Sequence, residues 1–65
     1  MIPKERKVNL VPALEKGARV LDLVARSRSQ LSLSDIAQEL SLPRSTVHSI
    51  CHTLVELELL VRRND

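Results

Sequence analysis

The chain has 65 residues, one cysteine, no aromatic side chain of the Phe, Tyr or Trp type, and a net charge of +2. This length allows one small domain with an aliphatic core. A single cysteine excludes an internal disulfide and a cysteine-based zinc site, and the lack of aromatic rings argues against single-strand nucleic-acid binding by base stacking. No apolar run reaches membrane-spanning length and no signal peptide is visible, so we expect a cytoplasmic protein.

Residues 1–9 are polar and contain a proline, which predicts a flexible N-terminal arm ahead of one domain over residues 10–65. Three basic side chains, Lys4, Arg6 and Lys7, cluster in this arm. They either bind phosphates or are the solvated charges of a tail, and the sequence leaves both interpretations open.

A first helix is predicted from about Val11 to about Arg26. Pro12 suits the first turn because it has no N–H group to leave unpaired, and Glu15 lies near the positive end of the helix dipole. Apolar residues then recur at helical spacing. The predicted stripe consists of Leu14, Gly17, Ala18, Leu21, Val24 and Ala25.

Two further apolar residues, Val20 and Leu23, lie beside this stripe and widen the apolar surface of the first helix. They either complete the core of the small domain or form a second face that contacts another subunit. Both are therefore candidate dimer contacts.

The next segment predicts a short strand and then a short helix. Leu31, Ser32 and Leu33 alternate between apolar and polar, as in a short strand. Ser34 is the predicted N-cap of the second helix, with Asp35 in its first turn. This helix is expected to bury Ile36, Ala37 and Leu40 and to end at Ser41-Leu42-Pro43.

A third helix is predicted from about Pro43 to Leu57, because Pro43 disfavours a helical conformation at Leu42 but can itself start a helix. Its predicted buried stripe is Val47, Ile50, Cys51, Leu54 and Leu57. Cys51 is thus expected to be a packed small hydrophobe rather than a reactive thiol. The opposite face carries Ser45, Ser49, His52 and Glu56, with Thr46 and His48 on its flanks.

The end of the sequence predicts an incomplete β-hairpin. Residues 59–61 are expected to form a strand, and residues 62–65 the start of a turn. Together, these elements predict a mainly α fold, a three-helix winged helix-turn-helix with a short, truncated β wing.

A capped short helix, a tight turn and a longer helix with a polar outer face predict binding to the major groove of double-stranded DNA. The alternative is a helical module that binds only other proteins. The outer face favours DNA because Glu56 is its lone acidic residue, and an acidic face would repel phosphate.

The same face offers little support for metal binding or catalysis. His48 and His52 have a spacing that can hold a metal ion, but only Glu56 could complete the site, so no metal is expected. No Ser-His-Asp constellation or pocket is predicted, which argues against an enzyme and against a cofactor.

Two stretches, VPALEKGARVLDLVARS and LSLSDIAQELSLPRSTVHSICHTLVELELLVRR, resemble the N-terminal DNA-binding domain of the isocitrate-lyase-regulator (IclR) family of bacterial transcription factors. The motifs that carry the resemblance are V-P-A-L-E-[KR]-G, L-S-L-S-[DE]-I-A and L-P-[KR]-S-T-V-H. It implies a winged helix-turn-helix that binds operator DNA as part of a homodimer, or of a tetramer in the intact protein. It also implies a larger C-terminal domain, absent from this chain, that binds a small-molecule effector.

By this resemblance the recognition helix starts at the motif matched by residues 43–48. Arg44 is then expected on a phosphate or a guanine edge, and Ser45 and Thr46 on phosphates or bases. The exposed His48, Ser49 and His52 complete the expected DNA-facing surface. Arg62 and Arg63 fall where the wing begins, where they either contact phosphates or are solvated.

Three residues depart from the family pattern. Ser49 occupies a position where the family commonly has a basic residue, which bears on the strength of any base contact there. Gln30 precedes the predicted short strand where the family often has glycine. Glu58 replaces the glycine that usually closes the third helix, so a left-handed C-terminal cap is less favourable.

Overall fold

The computed structural model describes residues 10–62 of the chain. Within that range it consists of three helices, α1 (Pro12–Arg26), α2 (Leu33–Leu40) and α3 (Arg44–Glu56). All three pack against one another. The predicted mainly α fold is confirmed, whereas the N-terminal arm, Arg63 and the last two residues lie outside the described residues.

The start and end of α1 agree with the sequence prediction. Val11 has an extended backbone, Pro12 is the first helical residue, and the carbonyl of Val11 accepts from the amide of Glu15 at 2.9 Å. Arg26 lies in the last turn, where its charge favours the negative end of the helix dipole, and it pairs with Asp22 one turn earlier. The positions of Pro12 and Arg26 thus agree with the observed ends of this helix.

The buried face of α1 differs from the predicted stripe. Val20 is fully buried, with 0% of its surface exposed, whereas Leu14 is 73% exposed. Leu23 is half-buried against the same core. The assignment of Val20 as a dimer contact is therefore wrong. The face of α1 that meets the other helices is centred on Gly17, Val20 and Val24, whereas Ala18 and Ala25 are exposed.

The core lies where the three helices meet. Its fully or nearly buried residues are Val20, Ile36, Ala37, Val47 and Leu54. Half-buried leucines surround this cluster, together with Val24, Ile50 and Cys51. Leu57 is 62% exposed, contrary to the prediction, because α3 ends one residue earlier and the chain turns away there.

The N-cap of α2 is Ser32, so the assignment of Ser34 as the start of the helix-turn-helix is wrong. Asp35 lies three residues after Ser32, and the two residues form a capping box. This arrangement draws Leu33 into the helix, and residues 31–33 do not form the predicted strand. Ser34 is instead an exposed residue of the first turn.

The turn between α2 and α3 is tight and is held by backbone hydrogen bonds. Ser41 has a left-handed conformation with φ 56°, and the amide of Leu42 donates to the carbonyl of Ala37 at 3.0 Å. Pro43 then has the extended conformation of an N-cap ahead of α3. Residues 41–43 therefore redirect the chain between two helices, as the sequence predicts.

The C-terminus of α3 has the geometry of a Schellman motif. The amide of Leu59 donates to the carbonyl of Leu54 at 2.8 Å, and that of Glu58 to Val55 at 2.9 Å. Glu58 has φ 63°, a left-handed conformation that favours glycine. In the described part of the chain residues 59–61 form no strand, so the wing is not confirmed; a strand requires a pairing partner, and residues 10–62 supply none.

Candidate nucleic-acid interface

The exposed face of α3 contains the side chains that the sequence singled out. Arg44, Ser45, His48, Ser49 and His52 are exposed, and Thr46 is half-buried. On the opposite side, Val47 and Leu54 are buried in the core. Because Val47 and Leu54 both face the core, the polar face of α3 points away from the domain along the length of the helix.

The helix before the turn is held by contacts that set the angle at which α3 is presented. Ile36 and Ala37 of α2 pack in the core beside Val47. A guanidinium nitrogen of Arg19 in α1 donates to the carbonyl of Leu40, the last residue of α2, at 3.4 Å. The arrangement is a short capped helix, a three-residue turn and a longer helix with a free outer surface.

The charge on α3 is small and concentrated at its ends. Arg44 is the first helical residue and Glu56 the last, and the residues between them carry no Lys, Arg, Asp or Glu. The hydroxyls of Ser45 and Ser49 lie between these ends and can donate or accept hydrogen bonds. Thr53 differs, since its hydroxyl donates to the carbonyl of Ser49 within the helix at 3.0 Å. The cation at the N-terminal end is therefore the part of the helix most suited to a phosphate.

A broad groove of about 760 Å³ runs beside this face. His48 and His52 of α3 line one side, Asp35 of α2 another, and Arg62 the C-terminal side. The sequence predicted no pocket, and this open groove arises because residues 29–32 and 60–62 border α3 without covering it. Arg62 is exposed, and the groove brings it to the same surface as the two histidines.

Cys51 also borders this groove, and its environment agrees with a packing role. The side chain is half-buried and packs against the hydrophobic core. Burial raises the pKa of the Cys51 thiol above its ordinary value, because the thiolate is poorly solvated there. The thiol is thus less reactive than an exposed cysteine.

Among residues 10–62, no three His, Cys, Asp or Glu side chains are grouped so that they could hold a metal ion. None of the helices in that range has the length and apolar character needed to cross a membrane.

The geometry of α2, the turn and α3 defines a helix-turn-helix domain, a class whose second helix contacts DNA. Comparison with protein families gives a match to the IclR helix-turn-helix domain over residues 13–64. This match covers well over half of the chain, and the chain belongs to that family of DNA-binding regulators. A search of the curated proteins and a search of the solved structures gave no match.

Proposed function

We propose that this domain recognises operator DNA in a sequence-specific manner, with α3 in the major groove. The observation that carries the proposal is the orientation of α3, whose buried Val47 and Leu54 leave Ser45, Ser49 and His52 facing outward. The major groove admits one α-helix and displays a distinct donor and acceptor pattern for each base pair. Short hydroxyl side chains can donate to and accept from such base edges at close range.

The roles divide along α3. Ser45 and Thr46 lie in its first turn, the part of a recognition helix that contacts base edges. Arg44, beside them, is proposed to bind a phosphate or a guanine edge, and Arg62 a phosphate across the groove. The observation that supports this role for Arg62 is that it lines the groove beside α3.

The test of base recognition is a double substitution, S45A/T46A. A binding sequence is first selected with the wild-type chain from random duplex DNA. The double variant is expected to weaken binding to that sequence by roughly 1–3 kcal/mol per lost base contact. Thermal unfolding should change little, because Ser45 is exposed and Thr46 is only half-buried. Unchanged affinity in a folded double variant would refute the assignment, and failure to enrich any sequence would refute sequence-specific recognition.

Phosphate contacts are tested separately by the dependence of affinity on salt. Removing one phosphate contact reduces the slope of log affinity against log salt concentration by about one. We expect this reduction for R44A and for R62A, on selected and on random DNA alike. R26A is the matched control, since Arg26 is also an exposed arginine, lies on α1 and pairs with Asp22. Equal slopes for all three variants and the wild type would show that neither Arg44 nor Arg62 contacts a phosphate.

We further propose that the domain acts as a homodimer, because helix-turn-helix proteins generally join two half-sites one DNA turn apart. The burial of Val20 moves the proposed contact to the start of α1. Leu10, Val11 and Leu14 are each more than half exposed there and lie within five consecutive positions. Exposed apolar residues that adjoin one another are typical of interaction surfaces.

The dimer proposal is tested by V11K/L14K, measured by analytical ultracentrifugation and DNA binding. These residues are exposed, so the variant should remain folded, self-associate less and bind the operator more weakly. V61K is the control for self-association, because Val61 is 91% exposed but lies at the other end of the domain sequence. Its DNA affinity is left out of the comparison, since Val61 lines the groove beside Arg62. Wild-type association in V11K/L14K would place the dimer contact elsewhere.

A further inference from the structure

The chain contains two histidines, and both lie on the exposed face of its recognition helix. His48 and His52 are four residues apart, so they occupy successive turns of the same side of α3. The charges of Arg44 and Glu56 at the ends of α3 cancel, so the helix has no net charge while both imidazoles are neutral. Protonation of both would add two positive charges to the surface that faces DNA.

The charged groups around the two imidazoles are balanced in sign. Along α3, Arg44 precedes His48 by four residues and Glu56 follows His52 by four. Across the groove, α2 contributes Asp35 and the C-terminal segment contributes Arg62, while the lining residues from α1 and the next loop are uncharged. Within residues 10–62 neither imidazole has an ion-pair partner. The protein charges that border the two imidazoles therefore sum to zero, and a phosphate of bound DNA would be the unbalanced charge beside them.

We propose that DNA binding by this domain is coupled to proton uptake at His48 and His52, so that affinity rises as pH falls through the range in which histidine titrates. The inference rests on the proposed placement of α3 against DNA. Each imidazole takes a proton from solvent on its free ring nitrogen, and the resulting N–H group donates to a phosphate oxygen. Because the complex holds more protons than the free protein, affinity is greatest at low pH and is lost as pH rises.

The experiment measures affinity of the full chain for a short mixed-sequence duplex between about pH 5.5 and pH 7.5, the window in which histidine changes charge. Affinity is expected to rise about tenfold for each imidazole that forms a charge-assisted hydrogen bond to phosphate. The salt slope should steepen by about one for each phosphate neutralised. H48Q/H52Q is expected to abolish both pH effects, and R26Q, on α1, to retain them. Thermal unfolding at each pH verifies that every variant is folded.

A second measurement needs no variant. Calorimetric titration of the wild-type chain with the same duplex, in two buffers that differ in ionisation enthalpy, reports the number of protons taken up on binding. Net proton uptake near pH 6.5, within the window in which histidine side chains change charge, supports the proposal. Binding without uptake, or the same pH dependence in H48Q/H52Q, overturns proton coupling and leaves the proposed function intact. Absence of DNA binding at every pH overturns both.

Discussion

Ser32 and Asp35 hydrogen-bond to each other twice. The amide of Asp35 donates to the hydroxyl of Ser32 at 3.0 Å, and the amide of Ser32 donates to the carboxylate of Asp35 at 3.0 Å. The pair satisfies two backbone N–H groups that would otherwise lack partners at the start of α2. Since α2 leads directly into the turn before α3, this cap sets where the helix-turn-helix begins.

S32A should destabilise the domain by about 1 kcal/mol, because it removes the acceptor of an N-cap hydrogen bond. S34A should change stability by less than about 0.5 kcal/mol, as expected for an exposed position away from a cap. The measurement is chemical denaturation of the two variants, each of which lacks one serine hydroxyl of the wild type. Equal losses in both would contradict the assignment of Ser32 as the N-cap.

E58G should stabilise the domain by about 0.5–1 kcal/mol. Glu58 has φ 63°, and a side chain in the left-handed region costs about 1–2 kcal/mol, part of which glycine loses again through backbone entropy. E56G, two residues earlier at the last helical residue of α3, should be destabilising instead, because glycine is a poor helix former. Thermal denaturation of both variants tests the pair. A destabilised E58G would mean that the glutamate side chain contributes more than its backbone strain costs.

G17A should also stabilise the domain, by about 0.4–1 kcal/mol. Gly17 is buried inside α1, and a Cβ atom built there would lie 4.0 Å from the Cγ2 atom of Ile50, an ordinary van der Waals contact. An alanine side chain thus fits at position 17, and it lowers the conformational entropy of the unfolded chain. G17V, whose extra methyl groups must displace neighbouring atoms, is the matched variant and should be destabilising. Loss of stability in G17A would show that α1 and α3 pack more closely than this distance indicates.

The Cys51 thiol should react more slowly with iodoacetamide in the native chain than in the urea-unfolded chain at the same pH. Burial raises its pKa, so a smaller fraction is thiolate at neutral or mildly alkaline pH. As pH increases, the native rate should approach its plateau at a higher pH than the unfolded rate. Coincident pH profiles would indicate that limited access, rather than a raised pKa, accounts for any difference in rate.

Helix positions were predictable from local chemistry. Pro12, the Leu42-Pro43 pair and the periodic apolar residues act within a few positions of the chain, and the observed helices begin and end within about two residues of the predicted bounds. The exposed face of α3 was predictable for the same reason, since one buried stripe determines which residues lie opposite. The wrong assignment of Ser34 has a local cause as well. Serine is a good N-cap at either position, but only Ser32 lies three residues before Asp35, the separation that a capping box requires.

The helix-turn-helix and the identity of its polar face therefore follow from local patterns in the sequence. The tertiary structure alone decided which side of α1 is buried, because an apolar surface wider than one stripe can pack in more than one orientation and only the partner helices select Val20. The tertiary structure likewise brings Arg62 to the groove that His48 and His52 line. Such a juxtaposition depends on how the chain turns after Glu58, and no periodicity in the sequence encodes a distance between residues ten or more positions apart.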